Sequence, residues 1–232
     1  MQNKKTTAIK AAGVLLSCVL MLPVNVYAAP KTMADGQIFD AEYYAATYPD
    51  VAQALGTDES ALYQHYQTYG KNEGRKAYDA ATLANAEKKI TNKILSLKSK
   101  YPEGMTWTND NVYRNDVAAP HTKFMGCAAF AMQLSDEVYG TTTPMITLQP
   151  KTIDELRPGD IVRIFNGTHT VLVLSVDSQG ITVCEGNYGG TVHWNDRYTR
   201  NELDGQITYV NRRVQAGEVK QAAKTTPTLA RN

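Results

Sequence analysis

Hydrophobic and polar positions follow three different rhythms along the 232-residue chain. From Ala11 to Leu22 the chain is almost continuously apolar. Across 36–78 the apolar positions take helical spacing, with Leu62, His65, Tyr66 and Tyr69 at i, i+3, i+4 and i+7. Residues 80–100 predict another helix, with Leu83, Ile90, Ile94 and Leu97 on one side. The stretch 101–125 has no rhythm; Pro102, Gly104, Asn109-Asp110-Asn111 and Pro120 mark it as irregular. Gly126-Cys127 opens a helix predicted to run to Tyr139 and stop at Gly140, with Cys127, Phe130, Ala131, Leu134 and Val138 on its apolar face. Beyond residue 156 the period shortens to two. Strands are predicted at Ile161 to Phe165, Thr168 to Val176 and Ile181 to Asn187, with two more near 191–195 and 207–213, forming an antiparallel meander. The elements add up to an α+β fold.

Local punctuation sharpens these boundaries. Asp40 is placed to cap a helix, with Phe39 and Tyr44 flanking it as a hydrophobic staple. Pro49 suits the first turn of a second helix. Gly56 breaks the chain, Thr57 or Asp58 caps the third helix, and Gly70 ends it. His65 lies on that apolar stripe and reads as a packing histidine. Asn166-Gly167 predicts a two-residue hairpin. Between the next two strands, a three-residue loop with a bulge at left-handed Gly180 sets Glu185 opposite Val173 and Asn187 opposite Val171, with His169 diagonal to Asn187. All three polar side chains then share one face; a loop one residue longer splits them.

The N-terminus adds a location. Lys4, Lys5 and Lys10 precede the apolar run, and Val26-Tyr27-Ala28 offers small residues at its exit, so 1–28 reads as a secretory signal cleaved after Ala28. A lipoprotein signal ending at Cys18 is the competing reading, weakened by apolar residues continuing to Leu22. Removing 1–28 removes three lysines and no acids and takes the formal charge from +1 to −2. Such a chain has no basic stripe, so no nucleic-acid partner is expected. No segment is long enough to span a membrane. The polar segment 214–232 reads as a disordered tail. Oligomeric state has no signature in the sequence.

Cys127 and Cys184 remain after cleavage. At the first turn of a helix, free N–H groups and the positive dipole end favour a thiolate and a developing oxyanion. On this helix alone, the simpler reading is a buried cysteine as a small core residue. His169 beside Glu185 and Asn187 on neighbouring strands is what a thiolate–imidazolium catalyst requires. Strand parity puts Cys184 on the face opposite Glu185, as a buried structural thiol, and both cysteines are expected to be free. There is no paired Cys-x-x-Cys and the four histidines lack ligand spacing, so neither a metal nor a cofactor is expected. The Asn109-Asp110-Asn111 cluster lacks the spacing of a calcium loop. His121 and His193 read as loop or strand residues. Tyr188 and Trp194 either line a groove or pack in the core.

Gly126-Cys127-Ala128-Ala129-Phe130-Ala131, Leu156-Arg157-Pro158-Gly159-Asp160-Ile161, Thr168-His169-Thr170-Val171 and Glu185-Gly186-Asn187-Tyr188 together resemble the CHAP domain, the cysteine, histidine-dependent amidohydrolases and peptidases related to NlpC-like hydrolases. The resemblance spans 85–213 and implies a papain-like core, with Cys127 as nucleophile, His169 as base, Glu185 orienting His169 and Asn187 supporting the site. It also implies a secreted amidase or endopeptidase acting on peptidoglycan through a thioester. The Ala128-Ala129 pair departs from the larger polar and aromatic residues usual after that cysteine. A non-catalytic surface-binding protein, and a protease or acyltransferase with another substrate, are the alternatives. The tyrosine-rich module at 36–78 resembles a helical repeat of bacterial surface and secreted proteins, which implies an accessory or binding role.

Overall fold

The computed structural model describes residues 29–116, 121–150 and 152–214. The leader at 1–28 and the tail from 215 onward lie outside the described residues. The fold is mixed α+β with antiparallel sheets. None of the described helices is long and apolar enough to cross a membrane.

The chain begins with a two-stranded ladder, β1 (Lys31–Thr32) and β2 (Ile38–Phe39), followed by α1 (Ala41–Thr47), α2 (Pro49–Leu55) and α3 (Glu59–His65). Asp40 caps α1 by accepting from the Tyr43 N–H, Pro49 is the first residue of α2, and Asp58 caps α3. Phe39, Tyr44, Val51 and Leu62 form a separate small core, and Tyr44 shares a hydrogen bond with His65 Nδ1 at 3.0 Å. Two expectations are corrected. The module is not all helical, because Ile38–Phe39 pairs as a strand. The third helix does not continue as α to Gly70. It widens into a π turn over Tyr66–Gly70, which carries the Gly70 backbone against the Tyr44 hydroxyl, where any Cβ would collide.

The larger unit starts with α4 (Ala80–Ser96), capped by Asp79. A hairpin, β3 (Val112–Arg114) with β4 (Lys123–Met125), leads into α5 (Gly126–Tyr139). Then come β5 (Met145–Leu148), β6 (Ile161–Ile164), β7 (His169–Asp177), β8 (Gly180–Tyr188), β9 (Thr191–Thr199), α6 (Arg200–Leu203) and β10 (Tyr209–Arg213). They make a six-stranded sheet in the order β5-β10-β6-β7-β8-β9. One face packs on α5 through Phe130, Leu134, Leu172, Leu174 and Cys184. The other carries a second core of Val162, Ile164, Val171, Val173 and Val183, covered by Ile153, Leu156 and Leu203. A sheet buried on both faces explains why β7 is apolar at consecutive positions.

The region 101–125 is less irregular than its sequence. In β3–β4 the pair Tyr113–Phe124 packs inward and Val112–Met125 faces out, an alternation too short to register as a period. β9 extends four residues past the predicted Asn195. Asn166-Gly167 does not form a two-residue turn, because Ile164 pairs with His169 and leaves a four-residue loop. Phe165 and Asn166 take left-handed φ values of 53°, which turns the Phe165 ring onto Tyr198 at 5.4 Å. Burying that ring outweighs the short turn.

The β7–β8 register also differs from expectation. The turn has two residues, with Asp177 paired to Gly180, and there is no bulge at Gly180. Near the turn Val176 pairs with Ile181, a register that by itself sets His169 and Glu185 on opposite faces. An irregularity between Val173 and Ser175 slips the pairing by one, so Val173 meets Val183 and Leu172 meets Cys184. Leu174 is the extra residue, its side chain buried in the core under α5. The bulge restores the parity that brings His169 and Glu185 together, by a different device from the one expected.

Buried charges tie the units together. In the Arg157-Pro158-Gly159-Asp160 turn, the Asp160 carboxylate accepts from the Arg157 N–H and from Arg212 at 2.8 and 2.6 Å. Arg212 also donates to the Gly36 carbonyl in the β1–β2 turn, which clamps the N-terminal module to β10. Arg213 pairs with Asp136 on α5, and Asp136 also accepts from Tyr113 and Asn115.

Candidate active site

Cys127 is the second residue of α5, and no side chain caps that helix. The backbone at Gly126 sets the entry. Its φ is +53°, and a Cβ there would strike the Asn109 Oδ1 and lie 2.7 Å from Asn187 Nδ2. Glycine meets both demands without strain. The Gly126 N–H donates to the Asn111 carbonyl at 3.1 Å, and its carbonyl accepts from Trp107 Nε1 at 2.9 Å. Trp107 in turn packs edge-on against Phe130. The loop read as irregular thus grips the start of α5 from both sides.

His169 opens β7, and its imidazole interacts with the Cys127 thiol. Its Nε2–H donates to Glu185 Oε2 in a very short contact, leaving Nδ1 as the nitrogen toward sulfur. Glu185 is fully buried and accepts from the Tyr198 hydroxyl at 3.0 and 2.9 Å. Asp196 also hydrogen-bonds Glu185. Tyr198 and Asp196 reach the Glu185 face because β9 carries its own bulge. Val183 pairs with Asp196 but Cys184 with Trp194, so Asn195, at φ 64°, is the extra residue.

The electrostatics follow from these contacts. Burial opposes a thiolate at Cys127, but the His169 hydrogen bond and charge, the Thr170 backbone N–H and the Arg163 guanidinium outweigh it and bring the thiol down to about 7. Burial likewise opposes a charged His169. The hydrogen bonds to Cys127 and Glu185 prevail and raise it to about 9. Glu185 is held below its ordinary value: burial pushes it up, and the bonds from His169, Asp196 and Tyr198 more than compensate. Burial and the adjoining Glu185 push Asp196 up. The arrangement is a thiolate–imidazolium pair whose ring is oriented by a buried carboxylate, capable of attack on a carbonyl and of proton transfer to a leaving group.

The other expected residues fall as follows. Asn187 does not share the Glu185 and His169 face. Its φ of 62° and the pairing irregularity between Glu185 and Tyr188 turn it outward, where its Nδ2 donates to Asn109 Oδ1 at 2.9 Å above Gly126. It stands over the start of α5. Tyr188 is exposed beside the His169 ring at 5.9 Å, whereas Trp194 is buried and donates to the Tyr101 carbonyl. Cys184 is buried under α5; burial keeps its thiol protonated, and both cysteines are free. His193 engages Glu103 and Thr191. Among the described residues no group of three side chains is placed to hold a metal ion.

Sequence reasoning missed Arg163, Thr170, Asn109, Asp196 and Tyr198. Arg163 had a usable signal: strand alternation puts it on the Ile161 face, toward α5, where an arginine is out of place unless it has a task. Asp196 and Tyr198 had none, because their side of the sheet depends on the bulge at Asn195.

No family model matches the chain, and no curated protein matches it. Among solved structures it is similar to the crystal structure of Ly7917, at 15% identity and a TM-score of 0.35, over 54% of this chain and 62% of that one. A similarity this distant carries no argument about fold or function.

Proposed function

We propose that this protein is a secreted cysteine hydrolase with a papain-like core of the CHAP type, cleaving amide or peptide bonds of peptidoglycan. The observation that carries the reading is the series Cys127, His169, buried Glu185, in which His169 is hydrogen-bonded to Glu185 and interacts with the thiol at the start of α5. Its chain order and motifs are those of the resemblance.

The reaction uses groups already in contact. The Cys127 thiolate attacks the scissile carbonyl, and the N–H groups of the first turn of α5 face the developing oxyanion. His169 gives its proton to the leaving amine as the C–N bond breaks, which leaves a thioester on Cys127. His169 then takes a proton from water, the hydroxide adds to the thioester, and the acid is released with the thiolate restored. Glu185 keeps the ring in the productive tautomer throughout.

Digestion of purified sacculi by residues 29–232, beside a Cys127→Ala variant, tests this. Soluble fragments that require Cys127 are expected, and their masses identify the bond. Release of nothing from walls of several chemotypes would defeat the wall-hydrolase reading, and hydrolysis of casein or an ester probe alone would point to the protease or acyltransferase alternative.

A further inference from the structure

Of the arginines between residues 157 and 213, Arg157, Arg197, Arg200, Arg212 and Arg213 each pair with a carboxylate. Within that stretch Arg163 is the exception. It sits on β6 opposite Thr170 of β7, on the face toward α5. Its Nη1 donates to Thr170 Oγ1 at 2.6 Å and lies 3.9 Å from Cys127 Sγ. Thr170 is buried, so the head group is anchored from behind. No partner within the described residues takes Nε or Nη2. A guanidinium fixed on one nitrogen, with the rest of its fork unused, is built to receive a planar anion.

We propose that Arg163 binds a carboxylate of the substrate next to the scissile amide, so that the enzyme selects bonds flanked by an acidic group. This deepens the hydrolase reading and rests on Cys127 being its nucleophile. The charge balance supports it. In the free enzyme the nearest counter-charge to Arg163 is the thiolate. Once the thioester forms, that charge is gone, and a substrate carboxylate takes its place beside the guanidinium. His169 has its own counter-charge in Glu185, so the only cation of the site without a dedicated carboxylate is Arg163.

Two alkylating reagents of nearly equal size test this without any wall substrate. The Cys127 thiolate attacks the methylene of iodoacetate or iodoacetamide; the C–S bond forms, the C–I bond breaks and iodide departs. Both reagents meet the same thiolate, so the ratio of their rates cancels the thiol's pKa and reports attraction for the carboxylate. Relative to a free thiol, the ratio is expected to favour iodoacetate by about tenfold at low salt and to shrink as salt is added. Arg163→Gln should lose most of that preference while the His169 imidazolium remains, and Arg163→Lys should retain part of it, which also covers misfolding of the glutamine variant. A ratio unchanged in Arg163→Gln, or a wild-type ratio equal to that of a free thiol, would overturn the assignment while leaving the nucleophile intact. Failure of both reagents to label Cys127 would instead defeat the hydrolase reading, and this inference with it.

Discussion

The Tyr198 hydroxyl on β9 lies 2.9 and 3.0 Å from the two carboxylate oxygens of Glu185 on β8. Glu185 has no solvent exposure, so its negative charge is sustained only by such donors and by His169. Tyr198 thereby positions His169 through Glu185 without reaching the thiol itself. Tyr198→Phe removes the oxygen alone and keeps the ring against Phe165. Turnover on wall fragments is expected to drop about tenfold, as for other residues that orient a primary ligand or base. Steady-state kinetics beside circular dichroism checks this; a folded variant with wild-type turnover would remove Tyr198 from the site.

The Cys127–His169 pair sets the pH response. Cys127 is brought down to about 7 and His169 raised to about 9. The thiolate is therefore populated above the first value, and the imidazolium, the proton donor of the proposed reaction, persists below the second. The hydrolytic rate should be bell-shaped, rising through about pH 7 and falling through about pH 9, with both limbs belonging to the coupled pair. Iodoacetamide labelling should rise near pH 7, where an ordinary thiol rises at about 8.5. Buried Cys184 should stay unlabelled in the folded protein. A single rise near the ordinary thiol value would mean that the pair does not form.

Gly126 is the narrowest point of the site. Alanine there must hold φ +53° and push its methyl into Asn109 and Asn187. Gly126→Ala is expected to lose about 2 kcal/mol of stability. It should also lower the Cys127 alkylation rate more than it lowers folding. Urea denaturation with parallel thiol labelling separates these effects, and a variant as stable as wild type would show that the turn relaxes at no cost.

Asp160 and Arg212 form a buried pair that also holds the Gly36 turn. Asp160→Asn leaves the guanidinium without its counter-charge and should destabilise the protein by about 3 kcal/mol. The β1–β2 turn should then exchange amide hydrogens faster than in wild type. Unchanged exchange at 33–37 would indicate that the clamp does not hold the N-terminal module.

Much of this arrangement was legible before any coordinates. Gly126 and Gly140 bracket α5, and helical spacing alone turned Cys127 toward the core. Asp40, Pro49 and Asp58 start their helices because a capping oxygen or a preset φ acts within one turn. The parity that separates Cys184 from Glu185 is likewise a property of one strand. What the sequence could not determine is how strands meet. A slip of one residue inverts every side chain, and the slip at Leu174 is decided by where that residue finds a cavity, under α5, several elements away. The same holds for Asn195, which brings Asp196 and Tyr198 to Glu185, and for Arg163, whose task appears only when β6 and the start of α5 are side by side. Local propensity wrote the elements and the identity of the reactive residues; tertiary packing, acting through two bulges and a left-handed turn at Asn187, chose which of them touch.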